Sequence, residues 1–435
     1  MKTQSVIDRA PVWPADGETA IGSLGLAPTG AVRLEQAAPA NWRWVTVGVF
    51  VVFSALNYLD RQILAAVAPS VIAEFHLSNA AYGTLLAAFS LTYLCVAPLA
   101  GLLVDYVGLN WGAALAVGAW SAVTAATGFT SSFRGLVLAR MGLGVAEAAG
   151  LPCASKANAA YLKPSEFGLG IAVHNSAMTL GIVVAPLLVA TIAPRYGWRA
   201  AFMICGLGSF LWVPLWWFFA RNRQAARVEA PSARLDVRAV IRDRRLWGIL
   251  AANTLIMTVH SLWMNWTTIY FVRMYHLTQA QANQYFAWIP PIFASLGGLF
   301  GASLALRWSN AGRRPLAARM RACLMFAPCL LVTAFVPLMP SPAWAAAAIS
   351  LSFFLVLTIL VNLHSMTIDL FGASHAAFTT ALLVSSYALM QMALSPAMGA
   401  LADGVGFGGL CVAVSVFPLA AALILRATVS VKGAA

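Results

Sequence analysis

The feature that most limits the fold of this chain is a succession of apolar segments, each long enough to cross a lipid bilayer. A membrane-spanning helix needs about 20 apolar residues, whereas a strand of a membrane barrel needs about half as many, in alternation. Because a backbone in lipid must satisfy its own hydrogen bonds, apolar runs of this length predict helices. We expect twelve helices, near 44–68, 80–103, 111–129, 133–160, 167–193, 198–220, 246–272, 279–306, 316–338, 343–369, 375–401 and 407–428.

The composition excludes a soluble protein. Hydrophobic residues make up 61% of the 435 residues and charged residues only 9%, against about 25% charged in soluble chains. The net charge of +13 does not indicate nucleic-acid binding, because the basic residues lie in short breaks between apolar runs. No loop shows a nucleophile–base pair or metal-ligand spacing, so we expect neither an enzyme nor a metal site. The predicted partner is the lipid bilayer.

One long polar break divides the apolar body into two sets of six helices. This segment, 221–245, carries eight arginines. It predicts an N-terminal six-helix bundle at 44–220, a basic cytoplasmic central loop, and a C-terminal six-helix bundle at 246–428. Residues 1–43 are expected to form a disordered cytoplasmic tail, and residues 429–435 a short C-terminal tail.

A similarity between two segments supports a duplicated membrane protein. The segments 185–197 and 395–406 both place a proline about half a helix before a glycine-rich helix end, as paired halves of a transporter would.

The distribution of Lys and Arg predicts the orientation in the membrane. With the N-terminus inside, 21 of the 27 Lys and Arg residues lie in cytoplasmic segments and four lie outside. Cytoplasmic loops are enriched in Lys and Arg, so both termini are expected in the cytoplasm.

Four charged residues lie deep inside the apolar runs: Asp60, Arg61, Arg140 and Glu147. Charges at this depth are costly, so they usually mark a functional site. Arg140 and Glu147 are seven residues apart, on one helix face and about 10.5 Å apart along the axis. Asp60 falls between them in depth, so the four charges can meet in one neutral cluster. Such a cluster binds an anion when a proton neutralises a carboxylate. The alternative is a salt-bridge cluster that only orients helices.

Five segments resemble one known family. They are NYLDRQILAAVAPSV at 57–71, RMGLGVAEAAGLPC at 140–153, GWRAAF at 197–202, YFAWIPP at 285–291 and TIDLF at 367–371. On these segments the chain resembles the major facilitator superfamily, and within it the bacterial hexuronate and galactonate branch of the anion:cation symporter family. The resemblance implies a protein that functions as a monomer in the bacterial inner membrane.

The resemblance also implies how the charges divide their roles. Asp60 and Glu147 are expected to carry protons, which would be the coupling ion, with no other cofactor. Arg140 is expected to couple the proton and the anion through these carboxylates. An arginine suits such a position because it keeps its charge when it is buried.

Substrate contacts are implied for three residues near the start of the chain. Arg61 is expected to bind the substrate carboxylate, because its planar guanidinium can donate two parallel hydrogen bonds. Tyr58 and Tyr93 are expected to hydrogen-bond the substrate. For both tyrosines the alternative is a packing role in the helix bundle.

The loop after the second helix departs from the family pattern. Members usually show G-x-x-x-D-R-x-G-R-[RK], whereas this chain reads GLLVDYVGLNW at 101–111. Gly101, Asp105 and Gly108 are kept, but the arginines are replaced. We expect the gate still to form through Asp105 against a helix N-terminus, with fewer charges.

The fifth helix departs from the pattern of the sugar-acid members, which tend to show S-x-Q-x-x-G. The chain reads SAMTLG at 176–181, so Met178 occupies the position of the amide. A thioether accepts hydrogen bonds only weakly. The change favours a substrate with fewer hydroxyl groups than a hexonate. The alternative is that Met178 packs against a neighbouring helix.

The second half offers only uncharged candidates for substrate contact: His260, Trp266, Ser385 and Gln391. His260 has no acidic partner on its own helix, so a hydrogen-bonding or packing role is favoured over a second proton site. For Trp266 the alternative is a place in the helix interface.

These observations predict a proton-coupled symporter that imports a small organic anion, such as a hexuronate or an aldonate, by alternating access. The alternatives are a symporter of aromatic or other monocarboxylates and a passive organic-anion facilitator. A drug antiporter is disfavoured because the run G-x-x-x-G-P-x-x-G-G is missing from the fifth helix. A receptor or scaffold would not need the buried charges.

Overall fold

The computed structural model describes residues 40–162, 166–220, 237–372 and 375–429. These ranges are almost entirely helical and contain no β-strand. Most of the two expected tails and of the central loop lies outside the described residues, namely 1–39, 221–236 and 430–435. The described end of the central loop forms a short helix, Val237–Arg242.

Twelve helices of membrane-spanning length follow one another along the described chain. They are α1 (Ala40–Glu74), α2 (Asn79–Val107), α3 (Leu109–Thr127), α4 (Phe133–Glu147, continued by Gly150–Tyr161), α5 (167–196), α6 (198–220), α7 (Arg244–Tyr275), α8 (Gln279–Asn310), α9 (Pro315–Leu338), α10 (Pro342–Phe371), α11 (376–405) and α12 (407–428). The prediction of twelve helices is confirmed, with ends that differ from the sequence estimates by a few residues.

Hydroxyl side chains cap the start of four of the even-numbered helices, α2, α4, α8 and α10. Ser78, Ser132 and Ser341 each accept a hydrogen bond from a backbone N–H in the first turn of α2, α4 and α10. Thr278 forms a reciprocal capping box at the start of α8. These caps satisfy N–H groups that have no partner inside the helix.

Two glycines separate helices that follow each other without a loop. Gly197 divides a helical stretch, Leu169–Phe219, into α5 and α6, and Gly406 divides Phe378–Thr428 into α11 and α12. Their φ angles are +80° and +72°, a region that only glycine enters without strain. These glycines end the two segments whose similarity indicated a duplication, so the two halves break at corresponding places.

The two halves meet along a close contact between α2 and α11. A methyl group added to Gly83 would overlap the backbone of Ser395, and one added to Gly399 would overlap the backbone of Asn79. Small residues of this kind let helices in a membrane approach until their backbones touch.

A carboxylate joins the halves at the end of this seam, next to the α1–α2, α7–α8 and α11–α12 connections. We call this side of the bundle the linked end. One oxygen of Asp403 on α11 accepts from the backbone and side-chain nitrogens of Asn79, over 3.0 and 2.7 Å, and the other accepts from the backbone of Ala80, over 3.0 Å. A negative charge at the N-terminus of α2 interacts favourably with the helix dipole.

Other hydrogen bonds between the halves lie between the middle of the bundle and the linked end. The Gln62 amide donates to the Met264 carbonyl over 2.7 Å, and the Tyr82 hydroxyl to the Asn265 carbonyl over 3.0 Å. Asn283 on α8 donates to a carbonyl of α1 over 2.8 Å. These bonds hold α1 and α2 against α7 and α8.

Candidate functional site

An ion pair between α1 and α4 lies at the centre of the N-terminal half. Nε and Nη2 of Arg61 both donate to Oε2 of Glu147, over 2.9 and 2.6 Å. The Glu147 side chain is fully buried, whereas 26% of the Arg61 side chain is exposed. Within the described chain, Oε1 of Glu147 has no hydrogen-bond partner. Part of the Arg61 side chain is therefore open to a ligand, whereas the Glu147 side chain is not.

Three aromatic rings surround the Arg61 guanidinium. Tyr58 lies one turn earlier on α1, and Phe89 and Tyr93 lie one turn apart on α2, where their rings stack with centroids 5.8 Å apart. The Cζ atom of Arg61 lies 5.0 Å from the Tyr58 centroid, 4.7 Å from that of Phe89 and 5.4 Å from that of Tyr93. All three distances allow a cation–π interaction. The structure therefore places both expected tyrosines beside Arg61, together with a third ring that no sequence motif had indicated.

A close approach of α2 and α4 brings these groups together. The Thr92 hydroxyl on α2 donates to the Met141 carbonyl on α4 over 2.9 Å. A methyl group added to Gly144 would overlap the Thr92 hydroxyl and the Phe89 carbonyl. Gly144 lies one turn before Glu147, so its missing side chain lets the aromatic residues of α2 and the carboxylate of α4 converge on one guanidinium.

The other two deep charges are buried but unpaired. Asp60 is 0% and Arg140 3% exposed. Among the residues that the structure describes, the Asp60 carboxylate oxygens and the Nε and Nη2 atoms of Arg140 have no hydrogen-bond partner. The Ser209 hydroxyl on α6 faces Asp60 outside hydrogen-bond geometry, and Arg140 lies 5.5 Å from the centroid of the Phe202 ring.

The four expected charges lie close enough to interact electrostatically, but hydrogen bonds do not join all of them. Only Arg61 and Glu147 pair, although Asp60 and Arg140 remain close enough to interact electrostatically with each other and with the pair. Successive side chains on a helix point about 100° apart around its axis. Asp60 and Arg61 consequently face different neighbours, even though their depths in the membrane are nearly the same.

The C-terminal half contributes neutral aromatic groups opposite the ion pair. Tyr387 on α11 lies close enough to Arg61 and Tyr58 to interact with them electrostatically. The His260 ring on α7 lies edge-on to Tyr387 and to Phe353, with centroids 6.1 and 5.4 Å apart. Nδ1 of His260 has no hydrogen-bond partner in the described residues. His260 thus lies near Arg61 through Tyr387, but in an apolar aromatic setting.

The Trp266 and Gln391 side chains are buried inside the helix bundle, farther from open space than a residue that contacts the substrate would be. Trp266 is fully buried, and its ring packs against Tyr82 and Phe407, with centroids 5.1 and 6.4 Å away. Gln391 on α11 is also buried. The expectation that Trp266 contacts the substrate is not supported by this position, because its ring fills the interface of the halves towards the linked end.

Met178 and Ser385 lie at half-buried positions on α5 and α11. The next residue, Thr179, shares a hydrogen bond of 2.8 Å with Ser295 on α8, and Gly181 touches the backbone of α1. Met178 is therefore located where α5 passes between α1 and α8, at the junction of the two halves.

The expected gate residues lie at the opposite end of α2. Lys156 on α4 pairs with the Asp105 carboxylate over 2.9 Å, and Gly108 ends α2 with a φ angle of +83°. Gly101 is half-buried one turn before Asp105. In this conformation Asp105 pairs with Lys156 of the same half, and its contact with a helix N-terminus stays a prediction. At the linked end, Asp403 makes a contact of that kind.

Two buried polar groups were not predicted from the sequence. Asn253 on α7 donates to the Ser386 hydroxyl over 2.8 Å, and its side-chain oxygen lies 3.1 Å from Nε2 of His364 on α10. In the N-terminal half, the Ser54 hydroxyl lies 2.8 Å from Nδ1 of His174. A histidine or asparagine inside an apolar run is the only signal that could have indicated these contacts. The described residues contain no group of three or more His, Cys, Asp or Glu that could hold a metal ion.

Twelve membrane-spanning helices in two halves, with a partly exposed arginine and three buried charges inside the N-terminal half, are the architecture of a multi-pass membrane transport protein. Residues 50–392 match the Major Facilitator Superfamily. The chain belongs to this superfamily, and it is a transporter rather than an enzyme.

The similar proteins of known sequence include transporters of sugar acids. The hexuronate transporter of Escherichia coli K12 is 28% identical over 407 residues, which cover 88% of this chain and 93% of that protein. The galacturonate transporter of Dickeya chrysanthemi is 28% identical over 277 residues, covering 60% of this chain and 80% of that protein. A small organic anion and the membrane lipid are the partners that these relatives imply.

Solved structures share the fold at low sequence identity. A bacterial homologue of the human lysosomal transporter Spinster, in an inward-facing and occupied conformation, superposes with a TM-score of 0.78. The match covers 90% of this chain and 98% of that one, at 18% identity. The twelve-helix arrangement is therefore that of the superfamily.

Proposed function

We propose that this protein is a proton-coupled symporter that imports a small organic anion, with hexuronates as the first candidates. The observation that carries the proposal is the Arg61–Glu147 pair. The Glu147 carboxylate binds the Arg61 guanidinium, the group that would bind the carboxylate of a substrate. Similarity to the hexuronate and galacturonate transporters supports the choice of anion.

Protonation of Glu147 would link the two events. A neutral carboxyl group holds a guanidinium much less strongly than a carboxylate does, because charged hydrogen bonds are about twice as strong as neutral ones. A proton on Glu147 therefore frees Arg61 to bind the substrate. Loss of that proton restores the pair and expels the anion.

Asp60 would be a second proton site, distinct from Glu147 because it makes no contact with Arg61. An unpaired buried charge costs several kcal/mol. A protein therefore keeps groups such as Asp60 and Arg140 where a change of charge is part of its function. Arg140 interacts electrostatically with both acids. It can therefore favour the ionised form of whichever acid has lost its proton.

Alternating access would use the two halves as rigid units around this site. The bonds at the linked end, with Asp403 at their edge, hold that end together in this conformation. The distribution of Lys and Arg favours the linked end as the outer side, with both termini in the cytoplasm and the bacterial inner membrane as the location. The charge cluster lies within one chain, which supports a monomer as the functional unit.

Uptake by the purified protein in proteoliposomes tests the coupling. Accumulation of labelled galacturonate should rise with an inward proton gradient and collapse when a protonophore is added. A passive facilitator would instead equilibrate its substrate at the same level with or without the gradient. Transport that ignores both the gradient and the protonophore would contradict proton coupling.

A second candidate substrate is a less hydroxylated carboxylate, such as an aromatic acid. The observation that favours it is Met178 at the junction of the halves. A hydroxyl group that faces a thioether in a dry pocket goes largely unpaired, which costs roughly 1–3 kcal/mol.

Met178→Gln should shift the preference towards hydroxylated sugar acids, with an affinity gain of about tenfold to a hundredfold for the acid whose hydroxyl faces this residue. Competition of galacturonate, an aldonate and benzoate against a labelled substrate, on both proteins, measures the ranking. Leu180→Gln provides a matched control, because Leu180 is an exposed neighbour on α5. An unchanged ranking in Met178→Gln would show that Met178 only packs.

A further inference from the structure

The three rings around Arg61 can hold its side chain in place when the ion pair with Glu147 is broken. When Glu147 releases the guanidinium, an arginine side chain with several rotatable bonds is free to leave its position. Fixing such a side chain again costs conformational entropy. A guanidinium that binds one carboxylate after another needs something that holds it between partners.

The rings can hold it without competing for its hydrogen bonds. The face of an aromatic ring attracts a cation through its quadrupole, while the N–H groups in the guanidinium plane stay available. The Phe89 ring makes the shortest of the three contacts, at 4.7 Å from Cζ of Arg61. Unlike Tyr58 and Tyr93, Phe89 has no hydroxyl group and cannot hydrogen-bond a substrate or Glu147.

The position of Phe89 is fixed independently of Arg61. Its ring stacks on Tyr93, and its backbone is pressed against Gly144 of α4, where no side chain would fit. The Thr92 hydroxyl bonds the same turn of α2 to α4 over 2.9 Å. Phe89 is also 9% exposed and part of the buried core. The ring therefore stays in place whether or not Glu147 is paired.

We propose that Phe89 is a positioning residue for anion binding: its ring holds the Arg61 guanidinium in register while Glu147 and the substrate carboxylate exchange. This inference rests on the proposed role of Arg61 as the anion site. The ring attracts the guanidinium electrostatically, so its strength depends on the electron density of the ring and not only on its shape.

Fluorinated phenylalanines at position 89 separate these two contributions. Successive fluorine atoms withdraw electron density from the ring and weaken the cation–π attraction, with little change in size. The dissociation constant for galacturonate, measured at equilibrium in detergent, should rise stepwise from phenylalanine through mono-, di- and trifluorophenylalanine. Loss of the full interaction corresponds to about threefold to thirtyfold weaker binding. Phe89→Trp should bind at least as tightly as the wild type.

The same fluorinated series at Phe53 is the matched control. Phe53 is a buried ring of the same half, packed against Trp120 and Trp212 rather than against a cation, so binding should not change along that series. A series at position 89 that leaves the dissociation constant unchanged would overturn the proposal, because a ring that only fills space would behave in this way.

A readout without a substrate keeps the test independent of the proposed function. In the Glu147→Gln protein the guanidinium has lost its charged partner, so the melting temperature should fall along the fluorinated series at position 89. If the wild type binds no hexuronate, the proposed substrate class fails, but the melting series still decides the role of Phe89. A flat melting series would overturn it.

Discussion

Glu147→Gln should abolish accumulation of the substrate while leaving exchange across the membrane intact. Glutamine keeps the shape of the protonated side chain but cannot release a proton, and it no longer holds Arg61 through two charged hydrogen bonds of 2.9 and 2.6 Å. One pH unit across the membrane supplies about a tenfold accumulation per coupled proton. In proteoliposomes the wild type should approach that ratio for each proton it couples, whereas Glu147→Gln should stay near one. Counterflow exchange should persist in both proteins.

Although Glu147→Gln should lose accumulation, its affinity for the anion should rise. Because Glu147 competes with the substrate for Arg61, its neutralisation should tighten binding. Asp60→Asn should also lose accumulation, but without the gain in affinity, since Asp60 does not contact Arg61. Glu74→Gln serves as a control, because Glu74 pairs with Arg199 at the end of α1, away from the site. Accumulation by Glu147→Gln at the wild-type level would refute the proposed coupling.

The sequence predicted the helices well because their signal is local. Each apolar run is long, and the two helix breaks without loops fall at Gly197 and Gly406, where a glycine-rich exit was visible in the sequence. That the four deep charges Asp60, Arg61, Arg140 and Glu147 lie near one another also followed from their depths. Depth along a helix depends only on residue number, so it can be calculated without knowledge of the packing.

Direction around the helix axis is what the depth estimate lacks. Asp60 and Arg61 differ by one residue, yet one faces α6 and the other the aromatic rings of α2. The same limit applies to Trp266, which the sequence places on a helix that lines the site but which packs against Tyr82 on the neighbouring half. Such contacts depend on which helices become neighbours.

The close contacts of glycine were also hidden from the sequence. Gly144 lies in a segment rich in glycine, and nothing in the order of residues distinguishes it from Gly142. In the structure Gly144 faces the backbone of α2, whereas a methyl group at Gly142 would meet only side-chain carbons of Val123, at 3.5 and 3.6 Å. The ring of Phe89 beside Arg61 depends on that contact, which explains why no motif pointed to it.

Binding of the anion should depend on the guanidinium of Arg61 and not only on its charge. Arg61→Lys keeps the charge, but it replaces the planar guanidinium, which has several fixed donors, with one ammonium group on a flexible four-carbon side chain. Nε and Nη2 of Arg61 already bind one carboxylate oxygen together, and an ammonium group cannot reproduce both contacts. Losing one charged hydrogen bond costs about 1.5–3 kcal/mol, so the dissociation constant should rise roughly tenfold to a hundredfold.

Arg61→Ala should remove measurable binding of galacturonate, and the thermal stabilisation by that ligand should disappear with it. Arg199→Lys is the matched control, because Arg199 forms an ion pair of 2.7 Å with Glu74 outside the site and should leave the dissociation constant unchanged. If Arg61→Ala still binds as tightly as the wild type, the carboxylate is held elsewhere. Arg140 is then the next candidate, because it is the other deep cation and two of its nitrogens lack a partner in the described chain.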